Sequence, residues 1–262
     1  MRHSESFAKQ LAYYPGCSLK TSGKVLDEQA RKIAGIFGFE LVEIPEWTCC
    51  GTVFPNSLAD VMKFAGTYRM LAKAEQLADK LITLCSACFN VLKRSNKVIR
   101  ENPEIAEKLC LFTEVEYKGG LEVTHYLEFL RDQVTYQALA KKSVKTAPDK
   151  IVPYYGCLLL RPADELRLDD QENPTLLAEI IATVGDIAIK IPAQNECCGA
   201  FLTAKPGVEI NAVAEKITSQ ASAFGAAKII TSCPLCYYNL EKNSSLPVEY
   251  FTEYLARALG VN

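Results

Sequence analysis

The chain has 262 residues, 49% of them hydrophobic, enough to bury one large core or two smaller ones. Its 29 lysines and arginines nearly balance its 31 aspartates and glutamates, which leaves no basic field for nucleic acid and no acidic tail. Met1 to Gln10 contain no apolar core of signal-peptide length, and no apolar run reaches the ~18 residues of a membrane span, so the composition points to a soluble cytoplasmic protein.

Leu11 to Tyr14 reads as a short strand broken by Pro15-Gly16, a turn that presents Cys17. Val25 to Phe37 has helical apolar spacing and a natural stop at Gly38. Glu40 to Ile44 is the second strand, and Cys49-Cys50-Gly51 follows it. Ser57 to Asp79 is amphipathic, with Ser57-x-x-Asp60 as a capping box and Leu58, Val61, Met62, Ala65, Leu71 and Leu77 as its buried stripe. Lys80 to Leu84 is a third strand ending at Cys85. Helices are expected from Ala87 to Arg100 and from Pro103 to Leu109, then a strand from Leu121 to Thr124 and a helix from Tyr126 to Ala140. Lys141 to Lys150 is the expected linker, dividing the chain into lobes at 1–145 and 146–262.

The second lobe repeats the plan. Ile151 to Tyr155 is a strand leading to Cys157, and the loop beyond it carries Arg161-Pro162 and a charged patch. A helix runs from Asn173-Pro174 to Val184, a strand from Asp186 to Lys190, then Cys197-Cys198-Gly199. Val208 to Phe224 is a helix stopped by Gly225, and Ala227 to Thr231 is a strand entering Cys233. Pro234 sits at a first helical position, where its missing amide proton costs nothing. Val248-Glu249-Tyr250-Phe251 echoes Val123-Thr124-His125-Tyr126. Strands and helices alternating in this way predict an α/β fold of two pseudo-repeated lobes, each a small parallel Rossmann-like sheet with helical cover. Ligands of such sheets sit at the carboxyl ends of the strands, and each cysteine group follows a strand.

The cysteines keep the same register in both halves. The first half reads C-x31-C-C-x34-C-x-x-C and the second C-x39-C-C-x34-C-x-x-C. Ten of the eleven cysteines therefore fall into two sets of five. In a cytosolic chain such spacings point to metal or redox chemistry before structural disulfides. Structural zinc and a cubane cluster each take four ligands, yet the fifth cysteine recurs. Neighbouring side chains in an extended segment point to opposite sides, so a vicinal pair grips one ion poorly. It suits two irons of one larger cluster if the backbone bends, as Gly51 and Gly199 permit. The C-x-x-C pairs stand at helix N-termini, where the positive dipole end favours thiolate and a negatively charged core. These features favour an iron–sulfur protein, with thiolate zinc and reactive dithiols as the alternatives.

The double pattern, with Tyr-Tyr-Pro-Gly-Cys and Cys-Cys-Gly, resembles the twin CCG domains of the heterodisulfide reductase B subunit from about Leu11 to Gly260. The resemblance implies one noncubane [4Fe-4S] cluster on Cys17, Cys49, Cys50, Cys85 and Cys88, and a second on Cys157, Cys197, Cys198, Cys233 and Cys236. It also implies reductive cleavage of a small-molecule disulfide between the two clusters. Electrons would come from a ferredoxin-like iron–sulfur subunit, fed in turn by a flavin subunit. This chain has no G-x-G-x-x-G and no Walker pattern, which agrees with reliance on such partners. CCG domains also occur in electron-transfer subunits of fumarate or succinate and of glycolate or lactate oxidoreductases. Those relatives often carry fused C-x-x-C-x-x-C-x-x-x-C-P motifs that are absent here. A zinc-stabilised interaction protein is the third reading.

A few residues outside the ten carry their own expectations. His125 is a candidate proton donor near the first site, against a hydrogen-bonded structural histidine, since its counterpart is Tyr250. Cys110 reads as a buried apolar thiol. Lys20, Lys24 and Arg161 lie near the first cysteines and would attract an anionic disulfide, against plain solvated charge. Trp47 would shield the first site from solvent, or else simply fill core space.

Overall fold

Among the described residues, hydrogen-bonded pairing of eight strands builds two separate sheets, each of four strands and all parallel. The computed structural model describes residues 8–52, 61–202 and 210–261. In the first half β1 (Lys9–Tyr14), α1 (Cys17–Lys20), α2 (Lys24–Ile36) and β2 (Phe39–Glu43) precede a 3-10 turn (Val61–Phe64) and α3 (Ala65–Glu75). Then come β3 (Lys80–Thr83), α4 (Ser86–Glu101), α5 (Pro103–Thr113), β4 (Glu122–His125), α6 (Tyr126–Phe129) and α7 (Tyr136–Lys142). The second half follows with β5 (Lys150–Tyr154), α8 (Ala163–Leu166), α9 (Leu176–Thr183) and β6 (Ile187–Ala188). It ends with α10 (Ile210–Ala223), β7 (Lys228–Thr231), α11 (Pro234–Asn243), β8 (Val248–Tyr250) and α12 (Phe251–Ala258).

Strand orders are β2-β1-β3-β4 and β6-β5-β7-β8, the same topology twice. Chain order reverses between β1 and β3 and between β5 and β7, the switch points beside which parallel sheets bind ligands. Cys17 and Cys85 flank the first of these crevices, Cys157 and Cys233 the second. The central strands read as apolar runs because helices cover both faces: Leu11 to Tyr14 and Leu81 to Thr83 are buried, as are Ile151, Val152, Tyr154, Ile229 and Ile230.

Sequence expectations gave way in several places. The segment expected to be helical from Ser57 forms a 3-10 turn and then α3, and the Ser57-x-x-Asp60 capping box lies outside the described residues. Met62 and Leu77 are exposed, while Tyr68, Met70 and Ala74 take the core positions beside Leu71. The helix after β4 is not continuous to Ala140. It widens to a π turn at Leu130–Val134 and breaks at Thr135, whose φ of 77° lies in the left-handed region. The Thr135 hydroxyl then accepts from Ala138 N to start α7. The strand expected over Asp186 to Lys190 shrinks to Ile187–Ala188, because the Asp186 carboxylate accepts from Asp149 N and Tyr254 and pairs with Lys145. The helix expected at Asn173-Pro174 starts at Leu176, where the distant Asp169 carboxylate takes the Thr175 and Leu176 amides. Lys141 to Lys150 is irregular beyond α7, but it is tied to the second half through Val144 N to Ala258 O and Ser143 Oγ to Val184 O.

The two halves meet at a buried seam on the carboxyl side of β3 and β7. Tyr250 donates to the Leu84 carbonyl at 2.6 Å and lies 3.3 Å from the Ser232 carbonyl. His125, its counterpart in the repeat, reaches the same Leu84 carbonyl through Nε2 at 3.0 Å. The Nδ1 atom of His125 accepts from Leu127 N and caps α6, so both ring nitrogens are committed and the Nε2–H tautomer is fixed. Around the seam, α12 lies on α2 with Thr252 bonded to the Leu26 carbonyl. On the other side α4 holds the Cys157 loop, Asn90 donating to the carbonyls of Leu158 and Arg161.

Burial pushes the His125 pKa down to about 3. The folded chain therefore refuses a proton that the unfolded chain takes up near pH 6.5, and stability falls as pH drops through that window. His125→Asn keeps the cap and removes the titration. Urea midpoints measured from pH 7.5 to 4.5 should fall more steeply in the wild type, by up to about 1.4 kcal/mol per pH unit. Equal slopes would show that the buried neutral imidazole is not titrating as described.

Candidate metal centres

Each lobe gathers its five cysteines from three loops at the carboxyl ends of its strands. In the first, Cys49 and Cys17 sulfurs are 3.9 Å apart and Cys50 and Cys88 sulfurs 3.4 Å apart. In the second, Cys157, Cys197, Cys198, Cys233 and Cys236 all line one small cavity, where Cys157 acts on Cys197 and Cys236 is acted on by Cys198 and Cys233. The sulfurs meet in pairs; among the described residues no three His, Cys, Asp or Glu side chains converge as a single-ion site. Cys85 and Cys233, which open the third cysteine group of each set, are free thiols that shift one another's proton affinity across the seam.

Backbone geometry explains the residues around the sulfurs. Gly16 and Gly156 have φ of 76° and 64°, and a Cβ at either would come within 2.9 Å of Cys88 Sγ or 3.0 Å of Cys236 Sγ. The first-cysteine turn can thus lie against the last cysteine only if it carries glycine. Gly51 and Gly199 have φ of 83° and 79°, the bend that lets neighbouring cysteines serve one site. Their amides turn back toward Cys49 Sγ at 3.5 Å and Cys197 Sγ at 3.4 Å. Tyr14 and Tyr154, the tyrosines that precede these turns, donate to the carbonyls of Thr48 and Glu196 and so tie each Cys-Cys loop to its central strand. Cys85 and Cys233 are the N-caps of α4 and α11, with Cys88 and Cys236 in the first turns.

The thiols share protons unequally. The hydrogen bond shared with Cys88 outweighs burial and brings Cys50 down to about 6, while Cys88 itself is pushed up. The bond from Cys157 does the same for Cys197, also down to about 6, and raises Cys157. Cys233 is lowered by its bonds to Cys236 and Cys85. Thiolates therefore form beside helix N-termini and backbone amides, the environment that suits a metal–sulfur core.

The residues singled out from sequence have definite places. Lys20 pairs with Glu43 and Lys24 with Glu28, while Arg161 holds the Asn195 carbonyl and Glu172. Arg161 thereby ties the Cys157 loop to the turn before Cys197. Trp47 is half-buried, donates to Glu43, and stands edge-on to Tyr14 at 5.4 Å. Cys110 is half-buried and lies beside Tyr68, away from both sets of five. Sequence reasoning missed Asn239, whose amide donates to the Cys198 carbonyl at 2.6 Å, and Asn90, which pins the Cys157 loop across the seam. Each lies on the helix that opens with a C-x-x-C, and that was the available signal.

A profile of the cysteine-rich domain, CCG, matches residues 11–93 and again 151–241. The chain belongs to the CCG cysteine-rich domain family. Over 97% of its length it is 26% identical to the 8-methylmenaquinol:fumarate reductase membrane anchor subunit of Wolinella succinogenes, of which it covers 93%. It is 25% identical, over 96% of its length and 89% of the relative, to the B subunit of the ferredoxin/F420H2-dependent CoB-CoM heterodisulfide reductase of Methanosarcina acetivorans. A protein of Archaeoglobus profundus, named for its likeness to the heterodisulfide reductase B subunit, is 26% identical over 94% of this chain and 89% of the relative. Among solved structures, a hypothetical protein from Helicobacter pylori superposes with a TM-score of 0.74 at 11% identity. That match takes in 96% of this chain but only 49% of the other, which shares the fold. The relatives are thus named as subunits of a fumarate reductase and of a heterodisulfide reductase. Among the described residues no helix is long and apolar enough to cross a membrane.

Replacing Gly16 or Gly156 with alanine should cost about 1–2 kcal/mol for the left-handed backbone alone, and more for the sulfur contact. Thermal melting together with iron content per chain checks this. Either variant holding wild-type iron at an unchanged Tm would contradict the close approach described for these turns.

Proposed function

We propose that the chain is the disulfide-reducing subunit of a heterodisulfide-reductase-like complex, holding two noncubane [4Fe-4S] clusters. One would rest on Cys17, Cys49, Cys50, Cys85 and Cys88, the other on Cys157, Cys197, Cys198, Cys233 and Cys236. The observation that supports this reading is the pairwise approach of cysteine sulfurs brought from three loops in each lobe, with first-cysteine turns whose glycines lie against the last cysteine's sulfur. The donor set fits: it is all sulfur, set at helix N-termini and strand ends, and lies where a parallel sheet binds ligands. When bound, such clusters supply electrons singly and offer iron as a soft Lewis acid for a thiolate.

The chain's own residues would orient and insulate that chemistry. Tyr14 and Tyr154 fix the two Cys-Cys loops, and the seam sets the two sites face to face through Cys85 and Cys233. A disulfide RSSR′ takes two electrons and two protons to give RSH and R′SH. The electrons would come from a ferredoxin-like iron–sulfur subunit fed by a flavin subunit, since no nucleotide loop stands in this chain. The similarity to the Wolinella fumarate reductase protein supports a second reading, an electron-transfer subunit for a membrane-linked fumarate or succinate system.

Anaerobic protein with a reduced ferredoxin-type donor should release two thiols per disulfide for every two electrons. A candidate thiol added under oxidising conditions should create a new paramagnetic signal. Fast NADH-dependent reduction by the chain alone would overturn the dependence on partners, and iron-loaded protein indifferent to every disulfide and thiol would favour the electron-transfer reading.

A further inference from the structure

The first-cysteine loops of the two lobes are held by different means. The Cys17 turn closes on itself and on its own lobe: Gly23 N donates to the Ser18 carbonyl at 2.9 Å, Thr21 Oγ1 donates to the Cys17 carbonyl at 3.1 Å, and Lys20 pairs with Glu43. Among the described residues, the hydrogen bonds and ion pairs of 17–23 all stay within the first lobe. The Cys157 loop is longer, with 39 residues between Cys157 and Cys197 against 31 between Cys17 and Cys49, and its anchor comes from the other lobe.

Asn90 supplies that anchor. It lies on α4, shortly after Cys88, and is 3% exposed. Its side-chain amide uses both hydrogens, donating to the Leu158 carbonyl at 2.8 Å and the Arg161 carbonyl at 2.7 Å. The turn holding those carbonyls is closed by Arg161 N on the Cys157 carbonyl at 3.1 Å, so the two bonds from α4 fix the backbone that carries Cys157. The Arg161 guanidinium then reaches the Asn195 carbonyl at 2.8 Å, just before Cys197. A run of hydrogen bonds thus leads from a first-lobe helix to the loops of both Cys157 and Cys197, and Arg94 of α4 adds an ion pair with Glu165. The counterpart of Asn90 on α11 is Tyr238, which is 51% exposed and bonded to Lys242 instead.

Carbonyls turned into the protein need donors, so a loop whose carbonyls are met by a neighbouring lobe keeps its shape only while that lobe is docked. We propose that Asn90 is the positioning residue for Cys157, so that the second cysteine site is completed by the first lobe while the first site closes on its own residues. Assembly of the two sites is then one-way. Its consequence for a cluster at the second site rests on the reading of the ten cysteines as ligands, whereas the dependence of the Cys157 loop on Asn90 does not.

The test is the alkylation rate of each cysteine in metal-free, full-length protein treated with iodoacetamide, read by mass spectrometry of its peptides. Asn90→Ala should speed labelling of Cys157 by about tenfold and leave Cys17 at its wild-type rate. Asn90→Asp, of the same size but without the amide donors, should do the same, and Asn90→Gln, which keeps the amide, should recover part of the protection. Tyr238→Ala should change neither rate. After anaerobic loading with iron and sulfide, Asn90→Ala should hold about half the wild-type iron, one four-iron centre of two. The paramagnetic signal it loses should be the one altered by Cys157→Ser, and the one it keeps should be that altered by Cys17→Ser. Unchanged Cys157 labelling in both Asn90→Ala and Asn90→Asp, or an equal rise at Cys17 and Cys157, would overturn the proposal alone. The expected labelling with no iron taken up by wild-type protein would instead overturn the cluster reading.

Discussion

The Leu84 carbonyl, at the end of β3, is the point on which the two halves of the molecule turn. It accepts from Tyr250 of one half and His125 of the other, two residues at the same place in the repeat. An unpaired buried carbonyl would cost about 1–3 kcal/mol, and here each half satisfies the same acceptor. The next residue is Cys85, and the seam brings it to Cys233. Fixing one carbonyl thus fixes how the two cysteine sets face each other.

Outward from that point the arrangement follows from parallel-sheet topology. Strand order 2-1-3-4 leaves a crevice between the first and third strands, and the loops leaving them carry the first and third cysteine groups. The vicinal pair arrives from the neighbouring strand through a longer loop, and a tyrosine hydroxyl inside the core ties that loop down. Glycine then allows the first-cysteine turn to touch the last cysteine's sulfur. On the proposed reading these constraints would hold one cluster on each side of the seam.

Much of this was legible in the sequence because it depends on local spacing. Helix N-termini at C-x-x-C, glycines after each vicinal pair and apolar runs before each cysteine are short-range signals, and the two-lobed α/β fold followed from them. The seam was not legible: it depends on His125 and Tyr250 meeting one carbonyl from opposite halves, a long-range pairing that no periodicity encodes. Nor could the stripe expected over Ser57 to Asp79 reveal that Met62 and Leu77 face outward while Tyr68 bonds Tyr117 N in the core. Helix periodicity marks a face, but its partner is set by tertiary packing. Thr135 escaped notice for a related reason, since a β-branched residue at positive φ is tolerated only where the surrounding structure over-determines it.

The measurement that bears most directly on this account is the iron, acid-labile sulfide and zinc content of protein purified without oxygen. About eight irons with matching sulfide per chain, and a brown colour, are expected of two four-iron clusters. Two zincs, no iron and a colourless sample would contradict it, leaving a cysteine-rich scaffold in which the seam serves packing alone.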